Sequence, residues 1–128
     1  MSMEINNPIS EIMSDQVVVI GADCNIAEAQ EILNSSGLRT APVVDVNGKC
    51  FGVIGAADIL HTYEAKENFK DTRAWEICTH NILSVEPSSP VSEAINLMIK
   101  NGVHHIIVIE KSKIKGIISV LDIIKDPH

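Results

Sequence analysis

The sequence predicts an α+β fold of the sandwich type, in which one unit of strand, helix, strand, strand and helix is written twice. Three observations carry this. Gly37 recurs as Gly102 and Ala29 as Ala94 at an offset of 65 residues, while Gly52 recurs as Gly116 and Asp58 as Asp122 at an offset of 64. In each copy, helical spacing of apolar residues gives way to short, nearly continuous apolar runs such as Ile106 to Ile109, the pattern of strands covered on both faces. Each copy then closes on a matching phrase, Gly-Val-Ile-Gly-Ala-Ala-Asp from Gly52 and Gly-Ile-Ile-Ser-Val-Leu-Asp from Gly116. Two long repeats imply a pseudo-twofold pair whose apolar faces close on each other, each with a short three-stranded sheet packed against two helices, rather than a solenoid.

The elements follow in the same order in both copies. A short amphipathic opening, Pro8 to Met13 and Ala74 to Cys78, precedes brief strands at Val17 to Ile20 and Ile82 to Val85. Asn25 or Asp23 is placed to cap a helix over Ile26 to Ser36, and Ser89 ahead of Pro90 to start one over Val91 to Asn101. Ile26, Ala29, Ile32 and Leu33, and likewise Val91, Ala94, Ile95, Met98 and Ile99, recur at helical spacing and are expected to face a core. Gly37 and Gly102 end these helices, because glycine takes positive φ at no steric cost. Strands are expected at Thr40 to Val46 and Cys50 to Ile54, with Asn47-Gly48 as a hairpin signal, and at His105 to Ile109 and Ile114 to Ser119. The one-residue change of offset falls in these turns, where a deletion costs least. Ala56 to Tyr63 and Val120 to Lys125 close the copies, giving repeats over 8–63 and 74–126 with a charged linker over 64–73.

Composition narrows the function. At 128 residues and 45% apolar, the chain is large enough for a core shared by two small halves. A formal charge of −7 with 3% aromatic residues argues against nucleic acid, which calls for a basic surface and stacking rings. No apolar run is long enough to span a bilayer and no signal-like segment opens the sequence, so a cytoplasmic location without membrane attachment is expected. Cys24, Cys50 and Cys78 lack paired spacing and are expected as reduced thiols. His61, His80, His104, His105 and His128 form no helical i, i+4 pair and have no Cys or Glu at ligand spacing, so no metal site is expected. Trp75 reads as a helix-packing anchor. With no nucleophile elbow, no Gly-rich loop before a lysine and no paired carboxylates on one face, the chain does not read as an enzyme.

The repeated order of elements, the phrase Leu38-Arg39-Thr40-Ala41-Pro42-Val43-Val44-Asp45 and the Gly-apolar-apolar-Ser-x-x-Asp motif ending at Asp122 resemble a tandem pair of CBS domains, a Bateman module. Val103-His104-His105-Ile106-Ile107-Val108 is similar to the Val-His-Arg segment of nucleotide-sensing kinase γ subunits. The resemblance implies two pseudo-twofold CBS motifs with two clefts between them, which in that family commonly take AMP, ADP, ATP or S-adenosylmethionine. It also implies a homodimer, no obligatory cofactor and an unknown regulated protein as the recipient of the signal.

At Asp122, an ionised carboxylate opening a helix can accept two hydrogen bonds from a ribose diol, and Ser119 can donate to a phosphate. A bare capping pair accounts for the same residues without a ligand. The first copy carries Gly55 where the resemblance expects Ser or Thr, so the cleft of Asp58 is weaker or differently filled. Carried over by position, Asp122 and Ser119 are completed by Ser14, Val18, Arg39 and Thr40, and Asp58 by Thr79, Ile82, His104 and His105. Three functions stand: a regulatory module that binds an adenosine-containing small molecule, a dimerisation module without a ligand, and a metal or redox sensor built on His and Cys.

Overall fold

The computed structural model describes residues 5–66 and 68–125; residues 67, 126 and 128, which enter the linker, the end of the second repeat and the histidine set, lie outside the described residues. The chain forms two compact units: a contiguous one, Val18–Ile82, and a discontinuous one made of Met1–Val17 and Leu83–His128.

In the contiguous unit, β1 (Ile20–Gly21) runs parallel to β2 (Thr40–Val44), which pairs antiparallel with β3 (Cys50–Gly55). Helix α1 (Ile26–Ser36) joins β1 to β2, and α2 (Ala56–Glu64) and α3 (Ala74–Ile77) follow β3. The cap of α1 is Asn25 rather than Asp23. Glu28 N–H donates to Asn25 Oδ1 at 2.8 Å and Asn25 N–H to Glu28 Oε1 at 3.1 Å, a reciprocal capping box. Gly37, at φ 66°, ends the helix as expected. Ile20, Ile26, Ala29, Leu33, Ala41, Val43, Ile54 and Ile59 form the core, together with Ala74 and Cys78.

The discontinuous unit repeats the plan. β4 (Ser84–Val85) is parallel to β5 (His105–Glu110), and β5 is antiparallel to β6 (Lys113–Ser119), with α4 (Val91–Asn101) and α5 (Val120–Lys125). Its core is Ile9, Val85, Val91, Ala94, Met98, Ile106, Val108 and Ile118. In both sheets three consecutive strand residues are buried, Ala41 to Val43 and Ile106 to Val108, so both faces are covered as the unbroken apolar runs predict.

The opening segments are what separate the compact units from the sequence repeats. Ala74 and Cys78 lie in the core of the contiguous unit, and Thr79 bridges to Val53 with two 2.8 Å backbone hydrogen bonds. Ile9 lies in the other core, and Ser14 bridges to Ile117 with a pair at 2.9 Å. These approaches need glycine on the neighbouring strand: a Cβ on Gly52 would stand 2.6 Å from Thr79 O, and one on Gly116 2.5 Å from Ser14 O.

Several expectations need correction. Val17 to Val19 is not a strand; only Ile20 and Gly21 find partners in β2, and Val18 and Val19 are exposed. Likewise β4 is confined to Ser84 and Val85, and β2 stops at Val44. Pro90, not Ser89, takes the N-cap position of α4, without a side-chain hydrogen bond. Ile99 is 75% exposed because it stands about 100° round the helix from Met98, off the buried stripe. Trp75, expected as a packing anchor, is 45% exposed. Asn47-Gly48 does lie in a hairpin, but not as a two-residue turn: Gly48 N–H donates to Asp45 O at 2.9 Å, only Gly48 of the two has positive φ, and Asp45 Oδ1 accepts from the amides of Asn47 and Lys49. The second hairpin turns on Lys111 and Ser112, both at positive φ. A three-residue loop with glycine in the left-handed position thus faces a two-residue loop, which accounts for the one-residue change of offset between the repeats.

Candidate strand-to-helix binding junctions

The two matching phrases fold into matching junctions. In the discontinuous unit, β6 ends at Ser119 and α5 begins at once. Ser119 N–H donates to Asp122 Oδ2 at 2.8 Å, and Asp122 N–H donates to Ser119 Oγ at 3.1 Å. The capping role weighed from the sequence is therefore present, yet it does not exhaust the groups. The hydroxyl accepts in this pair and keeps its proton for donation, and the carboxylate keeps its second oxygen as an acceptor. In the contiguous unit β3 ends at Gly55, whose N–H donates to Asp58 Oδ2 at 2.8 Å, so half of the reciprocal pair is retained. Asp58 and Asp122 are both partly exposed.

Each junction has a neighbour across the ladder. Thr40 is opposite Gly55, and His105 is opposite Ser119. The bonds beyond them, Ala56 N–H to Arg39 O at 2.9 Å and Val120 N–H to His104 O at 3.0 Å, make these the non-hydrogen-bonded positions of the ladder, where facing side chains come closest. Arg39, Thr40, His104 and His105 are all exposed.

Of the candidate residues, Ser14, His104, His105, Ser119 and Asp122 lie in the discontinuous unit, and Val18, Arg39, Thr40, Asp58, Thr79 and Ile82 in the contiguous one. Ser14 flanks β6 at Ile117 and Thr79 flanks β3 at Val53, each two residues before the end of its strand. Sequence reasoning did not associate Thr40 with Gly55 or His105 with Ser119. Counting outward along each hairpin from its turn stops one residue short, at Ile54 and Ile118, because the register shifts between Val43 and Val44 and between Val108 and Ile109. His80, considered from the sequence only as a metal ligand, has its Nδ1 3.4 Å from Phe51 O and its ring edge-on to that of Phe51 at 4.8 Å.

Cys24, Cys50 and Cys78 are free thiols. Burial pushes the Cys50 and Cys78 thiols above their ordinary value, and the Asp58 carboxylate adds to the effect at Cys78. Such groups stay protonated and behave as small apolar core residues. Among the described residues no three His, Cys, Asp or Glu side chains are grouped to hold a metal ion, and no helix is long and apolar enough to cross a membrane.

Comparison with known proteins agrees with the repeated architecture. The family model for the CBS domain matches residues 9–65 and again 74–127, and the chain belongs to that family as a tandem pair. An uncharacterised 17.7 kDa protein of Acidianus ambivalens is 27% identical over 116 residues, covering 90% of this chain and 70% of that one. Other curated relatives are longer, and the chain spans 43% of one and 22% of two others. The CBS-domain pair of MJ0100, solved with 5′-methylthioadenosine and S-adenosyl-L-methionine, is 24% identical with a TM-score of 0.76, covering 93% of this chain and 94% of that one. CBSX2, solved with AMP, is 20% identical with a TM-score of 0.79 at the same coverages. At these identities the likeness is one of fold.

Proposed function

We propose that this chain is a regulatory, non-enzymatic module that binds an adenosine-containing ligand and passes the binding event to a partner protein in the cytoplasm. The observation that carries the reading is the pair of junctions at Asp58 and Asp122. In each, a backbone amide fixes one carboxylate oxygen and leaves the other as an acceptor, the arrangement a ribose diol requires. Relatives in fold were solved with AMP and with S-adenosyl-L-methionine and 5′-methylthioadenosine, which supports this ligand class; AMP, ADP, ATP and S-adenosylmethionine are the candidates. The repeats 8–63 and 74–126, joined by the linker 64–73, are the functional halves in this reading. Ser119 ranks the Asp122 junction first for phosphorylated ligands, with Ser14, His104 and His105 in the same unit. Val18, Arg39, Thr40, Thr79 and Ile82 lie in the unit of Asp58, so this grouping by unit departs from the carry-over by position, which set Val18, Arg39 and Thr40 with Asp122 and His104 and His105 with Asp58.

A ligand selective for the folded state stabilises it by about 2.7 kcal/mol at a hundred times its dissociation constant. Thermal unfolding with AMP, ADP, ATP, S-adenosylmethionine and 5′-methylthioadenosine is expected to show a saturable rise in Tm with at least one of them. With AMP, Asp122→Ala is expected to reduce that rise more than Asp58→Ala. Absence of a shift with all five rejects the reading, and a greater loss from Asp58→Ala rejects the ranking.

Homodimerisation belongs to the same proposal. The closing helix of each repeat exposes apolar side chains: Leu60 and Tyr63 on α2 at 68% and 72%, and Leu121 and Ile124 on α5 at 56% and 69%. A second copy that covers such residues gains their burial, at roughly 25 cal/mol per Å².

A further inference from the structure

Resting on the ligand class just proposed, we infer that Thr40 makes the two junctions select different ligands: the Asp58 junction takes a nucleoside with an uncharged 5′ substituent, while the Ser119 junction takes a phosphorylated one. A Cβ placed on Gly55 would stand 3.0 Å from Thr40 Cγ2, 3.2 Å from Arg39 O and 3.8 Å from Asp58 Oδ2. The missing serine at this position is thus not a hole waiting for a hydroxyl. A methyl group and two oxygen acceptors border the slot.

Each of these neighbours disfavours a phosphoryl group. The methyl offers it no donor; the carbonyl and carboxylate oxygens repel an anion but have counterparts in His104 O and Asp122 at the other junction, so the methyl is what distinguishes this slot. Thr40 is stiff at χ1 because it is β-branched, and it occupies the close-packed kind of cross-strand position, so the methyl is a fixed part of the wall. A thioether or alkyl substituent meets that methyl without leaving a polar group unpaired. At the equivalent junction the side chains are inverted in character: Ser119 Oγ retains a proton to donate, and across the ladder stands the imidazole of His105, a donor in either protonation state. The separation between the sites therefore lies in two ladder pairs, Thr40 with Gly55 and His105 with Ser119.

Calorimetric titration with AMP and with 5′-methylthioadenosine tests this in the full chain. Asp122→Ala protein, retaining the Asp58 junction, is expected to prefer 5′-methylthioadenosine over AMP at least tenfold, and Asp58→Ala protein to show the opposite preference. In the Asp122→Ala background, Thr40→Ala with Gly55→Ser opens the slot and supplies the hydroxyl, and is expected to raise AMP affinity at least tenfold. Gly55→Ser alone, still crowded by the methyl, is expected to gain less than threefold. Thr40→Ala alone, which adds no atom to the junction, is expected to weaken 5′-methylthioadenosine binding and keeps the test open if the serine variants fail to fold. Equal affinities for the two compounds in Asp122→Ala protein, or no effect of either Thr40 variant on preference, overturn the inference while leaving the nucleoside-binding reading intact. If neither compound binds the unsubstituted chain, the inference falls, while the nucleoside-binding reading falls only if ADP, ATP and S-adenosylmethionine fail as well.

Discussion

A single methyl group at position 52 or 116 would meet a carbonyl oxygen of the neighbouring opening segment at 2.6 or 2.5 Å, closer than any carbon–oxygen contact tolerates. Gly52→Ala and Gly116→Ala are therefore expected to lower stability by about 1–3 kcal/mol, the range for overpacking a filled site, as read from urea unfolding. A result within a few tenths of a kcal/mol of the parent would show that the segments yield at no cost. The aspartates carry two duties on the same scale. Because Asp122 is half of a capping box, Asp122→Ala costs roughly 1 kcal/mol of stability without any ligand, so only the ligand-induced change in Tm reports on binding. Asp58, Asp122, Ser119 and the substitution at Gly55 were legible in the sequence because they lie in a phrase written twice. Thr40 as the partner of Gly55 was not, since a motif is read along the chain while this contact runs across the ladder.

Among the elements, the hairpins show how local chemistry shapes a repeat. Lys111 at φ 53° and Ser112 at φ 70° hold left-handed conformations that L-residues other than glycine and asparagine take at a cost of roughly 1–2 kcal/mol each. Replacing Lys111→Asn with Ser112→Gly supplies the residues this turn favours, and the expected gain is about 1 kcal/mol, seen as a higher urea midpoint at unchanged m-value. A loss of stability would mean that the Lys111 or Ser112 side chain makes a contact worth more than the relieved strain. The bounds of α1 and α4 were legible because periodic apolar residues run up to a left-handed glycine in both, and Pro90 stands at the start of α4. The strand over Val17 to Val19 was not excluded by its sequence, because three valines fit a strand equally well whether or not a partner stands beside them. Pairing is a tertiary outcome, and only Ile20 and Gly21 obtain it.

For the whole molecule, the proposed dimer makes its own prediction. Sedimentation equilibrium is expected to give twice the chain mass of 13.9 kDa, and Leu60→Lys with Leu121→Lys to give the monomer mass while far-UV circular dichroism stays unchanged. A monomer at micromolar concentration for the unsubstituted chain would reject it. The tandem architecture was legible as an internal repeat, but the composition of the compact units was not. The offset between copies aligns Pro8 to Met13 with Ala74 to Cys78 without saying which sheet either segment joins. The glycines at 52 and 116, each opposed by a backbone carbonyl, mark where they go.

That partition also sets an order in time. Everything the contiguous unit needs lies between Val18 and Ile82, so it can close while a ribosome is still adding the residues that follow. Ile9, by contrast, belongs to a core whose other members begin at Val85 and end at Ile118, and it must wait through the synthesis of the intervening unit before its partners exist. The earlier-finished unit then shortens the effective loop between Ile9 and those partners, because a folded body joins Val17 to Leu83 in place of a free coil. The last step of folding is in this way made cheaper by the first.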